Sequence, residues 1–163
     1  MNINYLPIDQ LYVDEIRSGM LDHFGNAVEI SPAGENGYGP CRCCLRQFAP
    51  SERRLLFSYA PINSKHPYRE VGPVYVHENC LAYNQSNKFP EEVIKGRLHI
   101  PLVLRCYNAS DKMISACFVK DNLEVENLIA ILFMDPSVAT IHIRNATYQC
   151  FIAKAVRNHG TGS

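Results

Sequence analysis

The sequence predicts an α+β domain built on a mostly antiparallel sheet, and three patterns carry that expectation. Residues 98–107 alternate, with Leu98, Ile100, Leu102, Leu104 and Cys106 on one face, and residues 113–120 return as a second strand after the turn Asn108-Ala109-Ser110-Asp111. Residues 138–144 and 148–156 read as a closing hairpin. Between these strand pairs lies one long amphipathic helix, about residues 122–134, whose Val125, Leu128, Ile129, Leu132 and Phe133 form a continuous apolar face. Strand, strand, helix, strand, strand with tight turns is α+β order, and no Gly-rich loop follows a strand, which argues against a nucleotide-binding fold.

The remaining elements are shorter. Ile8, Leu11, Tyr12 and Glu15 follow helical spacing and Gly19 supplies a stop, so a helix is expected over 8–17. Glycines, Asn26, Pro32 and Asn36 punctuate residues 25–39, leaving room for a short strand at 28–30. Strands are expected at 54–59 and 73–77, the latter with Pro73 first, and 61–67 is a loop. A brief helix is expected after Cys80, then a second with Pro90 at its first position and Gly96 past its end. Pro101 puts the 98–107 strand at an edge or on a bulge. Asp121 and Glu124 resemble a capping box, and Asp135-Pro136 ends the long helix.

At 163 residues, 47% hydrophobic and 20% charged, the chain has room for one domain, read as residues 1–158 with 159–163 as a flexible tail. Sixteen basic and sixteen acidic residues cancel, so this is no polycation built for phosphate backbones. The start lacks a basic, apolar leader, and the longest apolar run, 128–134, is far below the ~20 residues that span a bilayer. A cytoplasmic location follows, with neither nucleic acid nor membrane among the expected partners. Seven cysteines in a reducing compartment read as thiols or metal ligands.

Cys41-x-x-Cys44 and His77-x-x-Cys80 have ligand arithmetic, with 32 residues intervening. Two short-spaced pairs let two turns each deliver two of the four donors that tetrahedral zinc takes. A turn pair plus a strand-to-helix pair is how treble-clef and knuckle-like zinc modules are assembled, which makes residues 40–82 a metal-organised subregion. Against this, Leu45 stands where a knuckle usually has glycine, and Cys43 inside the turn offers an alternative ligand. The same residues also fit buried thiols with a hydrogen-bonded histidine. A second chemistry is a cysteine nucleophile or redox thiol, since Arg42, Arg46, Arg53 and Arg54 would favour a thiolate and His77 could serve as base.

A three-residue loop Asn145-Ala146-Thr147 would oppose Arg144 to Tyr148 and His142 to Cys150. That register turns Ile141 and Ile143 inward and gathers the other four on the opposite side, as a small polar pocket or as a half-exposed sheet face. Charge is uneven along the chain, with six acids and one arginine in residues 1–40 and four arginines against Glu52 in 41–54.

Four segments together carry a resemblance: Pro40-Cys41-Arg42-Cys43-Cys44-Leu45, the run 55–61 (Leu-Leu-Phe-Ser-Tyr-Ala-Pro), the run 67–77 from Pro67 to His77, and the run 142–151 from His142 to Phe151. They resemble the bacterial "domain of unknown function 1203" family over roughly residues 20–157. The resemblance implies a small bacterial single-domain protein and carries over no catalytic residue. It also implies that Cys41, Cys44, Tyr59, Tyr68, Glu70, His77, Cys80, Arg144 and Cys150 belong to a shared pattern, in which Cys43 is an insertion. The expectation for function is a binding module with structural zinc on Cys41, Cys44, His77 and Cys80, its partner a small molecule or protein. A pocket is expected among Tyr59, Tyr68, Glu70, His142, Arg144, Tyr148 and Cys150. The alternative is a cysteine-dependent thiol or redox enzyme pairing a cysteine with His77 or His142.

Overall fold

The computed structural model describes residues 2–158; the expected tail, 159–163, lies outside them. Eight strands form two antiparallel sheets: β1 (Ile3–Leu6), β2 (Glu29–Pro32), β3 (Arg53–Tyr59), β4 (Gly72–His77), β5 (Leu102–Tyr107), β6 (Met113–Val119), β7 (Thr140–Asn145) and β8 (Phe151–Arg157). One sheet has the order β1-β8-β7-β5-β6 and the other β2-β3-β4. Three short helices join them, α1 (Gln10–Gly19), α2 (Glu91–Lys95) and α3 (Val125–Leu132).

The five-stranded sheet separates two apolar clusters. On one face Leu102, Leu104, Ile141, Ile143 and Ala153 pack with Val93 of α2 and with Val125 and Ile129 of α3. A bulge at Ile152 breaks the alternation of β8, and Phe151 joins the second cluster, with Leu55, Phe57, Val74 and Val76 of the smaller sheet, Val13 and Ile16 of α1, and Cys41, Cys43 and Cys44. The cysteine turn is thus part of a core.

α1 starts where Asp9 accepts the backbone N–H groups of Leu11 and Tyr12 and ends with Met20 in the left-handed conformation, φ 48°. Its inward face is Val13 and Ile16, with Tyr12 beside them, whereas Leu11 is 73% exposed. The expected Ile8–Leu11–Tyr12–Glu15 stripe is corrected accordingly: Ile8 is buried just before the helix begins.

The long helix is also corrected. Residues 122–124 form a 3-10 turn, and the α-helix proper holds only 125–132. The buried Asn122 side chain donates to the Ile100 carbonyl at 2.8 Å, tying the first turn to the chain before β5, and Asp121 accepts the Leu123 N–H. The predicted apolar face survives, with Val125, Ile129 and Phe133 buried and Leu128 and Leu132 packed against the same cluster.

No helix follows Cys80. Residues 81–85 are extended because their N–H groups have partners elsewhere: Ala82 donates to the Gln10 side chain and Tyr83 to the Cys43 carbonyl. The strand expected at 98–107 begins only after Pro101, at Leu102, and it is interior rather than an edge, between β6 and β7. Pro101 lacks an N–H to give to the ladder and accepts one instead, from Ala146 at 2.7 Å.

The β7–β8 hairpin forms with a different register. Its loop is four residues, 146–149, closed by the Asn145 N–H to the Cys150 carbonyl and held by Asn145 Oδ1 accepting from Thr147 and Tyr148. That loop puts Arg144 opposite Phe151, and a bulge at Ile152 then puts His142 opposite Lys154. Tyr148 and Cys150 are therefore not the cross-strand partners of Arg144 and His142. β1, unassigned in the sequence reading, pairs with β8 along one edge. Among the described residues no helix is long and apolar enough to cross a membrane.

Candidate metal centre and the neighbouring cavity

Cys41 and Cys44 lie in the turn preceding β3, His77 ends β4, and Cys80 follows two bends later. Because β3 and β4 pair antiparallel with Arg54 opposite His77, the hairpin returns the second pair to the first. The Arg42 N–H to the Tyr75 carbonyl, 3.0 Å, fastens the turn onto β4. One ligand atom from each of Cys41, Cys44, His77 and Cys80 lies within 4.8 Å of all the others. Cys41 Sγ is 3.8 Å from Cys80 Sγ, and Cys44 Sγ is 3.2 Å from His77 Nδ1. Sulfurs at ~2.3 Å from a tetrahedral zinc sit about 3.8 Å apart, so the spacing fits a shared ion.

Leu45 explains how the turn dispenses with glycine. It adopts φ 60°, the left-handed conformation a knuckle usually assigns to glycine, and donates its N–H to the Cys41 carbonyl at 2.9 Å. Its side chain is 1% exposed within the larger core, and that burial offsets the backbone strain. Cys43 is buried but outside the four; its sulfur approaches Gln10 Oε1 at 3.9 Å and its N–H points at Cys41 Sγ.

Outer groups complete the centre, and these the sequence reading did not identify. Glu52 Oε2 lies 3.1 Å from His77 Nε2, which leaves Nδ1 free to face the sulfurs, and Phe48 packs on the ring at 4.4 Å. Arg17, at the end of α1, donates to Cys80 Sγ at 3.1 Å and to the His77 carbonyl at 3.0 Å. The His77 N–H donates to Cys41 Sγ at 3.2 Å. Burial works against charge on His77, yet bonding to Cys41 and Cys80 and the charge of Glu52 push it up to about 10. Hydrogen bonds from Cys41, Cys43 and Cys44 push the Cys80 thiol far down, and the bonds Cys44 makes to Cys41 and Cys80, then burial, push its own thiol up. Sulfurs this close resist ionising together without a cation among them. Glu52 itself is held below the usual carboxylate range: burial opposes this, but the Ala49 N–H and His77 outweigh it. Replacing Glu52 with glutamine should weaken metal affinity by about 10–100-fold without abolishing it, as a chelator competition would measure.

The arginines of residues 41–54 are dispersed. Arg53 pairs with exposed Glu78, Arg54 lies over the Tyr75 ring at 4.0 Å, and Arg42 turns inside to donate Nε to the Phe151 carbonyl at 2.7 Å.

Of the seven residues expected to form a pocket, five do so. Tyr59, Glu70, Arg144, Tyr148 and Cys150 line a cavity of about 290 Å³ together with Pro61, Pro73 and Phe151. Tyr68 stacks on His66 outside it, and His142 is buried against Tyr107 and Phe151. Burial, then Arg144, Lys154 and Arg105, push His142 down to about 3 from an ordinary 6.5. Between these values the unfolded chain holds more protons, so this contribution to stability is complete above about pH 6.5 and is lost as pH falls toward 3. The slope reaches about 1.4 kcal/mol per pH unit. The His142 ring carbon resonances should accordingly read neutral in the folded chain at about pH 5; titration near the ordinary value would contradict this.

The site and fold thus define an α+β protein with a preformed three-cysteine, one-histidine cluster at one end of the β3–β4 hairpin and a cavity at the other. The family model described as "Protein of unknown function (DUF1203)" matches residues 38–157, and the chain belongs to that family. No curated protein and no solved structure matches it.

Proposed function

We propose that this chain is a binding protein whose smaller sheet is organised by one structural zinc ion on Cys41, Cys44, His77 and Cys80. The observation that carries the reading is the convergence of four ligand atoms from two pairs distant in sequence, all within 4.8 Å. Soft thiolates with one imidazole in a tetrahedron select zinc among the common divalent ions. Four protein ligands leave no open position, so the ion would hold β3, β4 and the cysteine turn together rather than activate water. Ligand recognition then belongs elsewhere, and the cavity beside Arg144 is the place for it. A reducing bacterial cytoplasm suits seven cysteines that are all free.

A second reading has one observation in its favour. Cys44, His77 and Glu52 stand in line at 3.2 and 3.1 Å, a nucleophile–base–orienter arrangement, and Cys44 borders a cavity of about 500 Å³. Against it, Cys44 is buried with its thiol pushed up, whereas a nucleophilic cysteine needs an exposed, acidified one. Elemental analysis of the purified full chain decides between them. One zinc per chain and slow alkylation are expected; metal-free protein with one rapidly alkylated cysteine would establish the thiol reading instead.

A further inference from the structure

The cavity on the β3–β4 side of the five-stranded sheet has more positive charge around it than its carboxylate balances. Arg144, 5% exposed, pairs through Nη1 with Glu70 at 2.9 Å and donates to the Gln149 carbonyl at 3.1 Å, but its buried Nε has no partner. Arg105 binds both oxygens of the same Glu70, each at 2.9 Å, and reaches Gln149 Oε1 at 3.0 Å. Behind the wall, buried Arg42 has only carbonyl partners, those of Phe151 and Pro40. Among the described residues no carboxylate forms an ion pair with it. Two guanidinium groups therefore share one carboxylate, Arg42 has none, and Glu70 is half exposed.

Buried charge is costly unless it is paired and every donor is used. An unpartnered N–H on a buried guanidinium beside a cavity is a vacant place for an acceptor, and a planar carboxylate fits a guanidinium edge with two parallel bonds. Apart from Gln149 and Cys150 the rest of the cavity is mainly apolar: Tyr59, Pro61, Val71, Pro73 and Phe151 line it with Tyr148. Burial, then Tyr12 and Asp9, push the Tyr59 phenol up to about 12, so it remains a protonated donor near neutrality. At about 290 Å³ the space is at the lower limit of ligand pockets, which are about 300–1,000 Å³.

We propose that this cavity binds a small organic acid, its carboxylate on Arg144 and its compact apolar or aromatic body between Tyr59, Phe151 and Tyr148. The inference rests on the reading of the chain as a binding protein and is independent of the metal. Inorganic phosphate shares the charge but not the apolar body, so the walls discriminate against it. Glu70 lines the cavity, where Arg105 already neutralises it, so it presents little repulsion.

The test is a titration of the ¹⁵N-labelled full chain at constant ionic strength with benzoate, benzamide and inorganic phosphate. Benzoate should saturably shift the Arg144 Nε–Hε resonance and the Gln149 and Cys150 amides, with benzamide and phosphate at least about tenfold weaker. Tyr148→Ala alters an exposed loop tip (65% exposed) and should weaken benzoate about fivefold without disturbing the fold. Arg144→Lys should weaken it at least about tenfold while zinc content is unchanged. A flat benzoate titration to ~20 mM, equal response to benzamide, or tighter binding of phosphate would each overturn the proposal. Failure of the zinc reading shows differently, as metal-free protein whose benzoate response persists.

Discussion

Replacing Cys44 with serine should remove the zinc and lower the melting temperature by about 10–20 °C, since about 5 kcal/mol or more of stability goes with the ion. Structural zinc supplies about 10–16 kcal/mol of apparent binding free energy in small modules, comparable to the entire stability of an ordinary domain. Here the ion would join the cysteine turn to the end of β4, inside a cluster where Cys41 and Cys43 are fully buried. Without it, two buried sulfurs, the half-buried one of Cys80 and an imidazole face one another with no cation between them. The loss should be local. Amide hydrogen exchange should accelerate first in β3 and β4, while β5 and β7, whose apolar face packs on α2 and α3, should retain more protection. Calorimetry and exchange on the chelated wild-type chain should reproduce the variant. A serine variant that binds zinc and melts within a few degrees of wild type would contradict the assignment.

Leu104→Ala should cost about 2–5 kcal/mol, read as a lower urea midpoint at unchanged slope. Leu104 is fully buried in the centre of β5, paired with Cys117 on β6 and Ile143 on β7, and its face is covered by the helices. Neighbours held by two ladders cannot collapse into the space, so the cavity term adds to the transfer term. The cost should fall entirely on the larger core, leaving zinc stoichiometry at one per chain. Coupling between Leu104→Ala and Cys44→Ser would show that the two clusters melt as one unit; additivity within about 0.5 kcal/mol would show that the sheet between them insulates one from the other.

The strands of the second half were legible because alternation is a local signal: Leu102, Leu104 and Cys106 face one core, and Ile141 and Ile143 face it with them. The Cys41, Cys44, His77 and Cys80 cluster was legible because such pairs have a short, characteristic spacing. What spacing cannot report is a partner reached through tertiary packing. Glu52 sits far from His77 in sequence and meets it across the β3–β4 hairpin, and Arg17 arrives from α1. The long helix was overread because Asp121 and Glu124 resemble a capping box that would start it at 122, whereas residues 122–124 form a 3-10 turn in which the Asn122 side chain is bonded to Ile100. The helix after Cys80 failed for a similar reason: Gln10 and Cys43 accept the N–H groups a helix would have used. His142, Arg144, Tyr148 and Cys150 were named from a three-residue-loop register that the four-residue loop displaces, yet Arg144, Tyr148 and Cys150 line the same cavity.

X-ray absorption at the zinc edge on the purified full chain tests the central claim most directly. Three sulfur scatterers at ~2.3 Å and one nitrogen at ~2.0 Å, with no exchangeable oxygen, are predicted. An edge with oxygen in the shell, fewer than three sulfurs, or no bound zinc at all would contradict the structural centre and return the cysteine cluster to thiol chemistry.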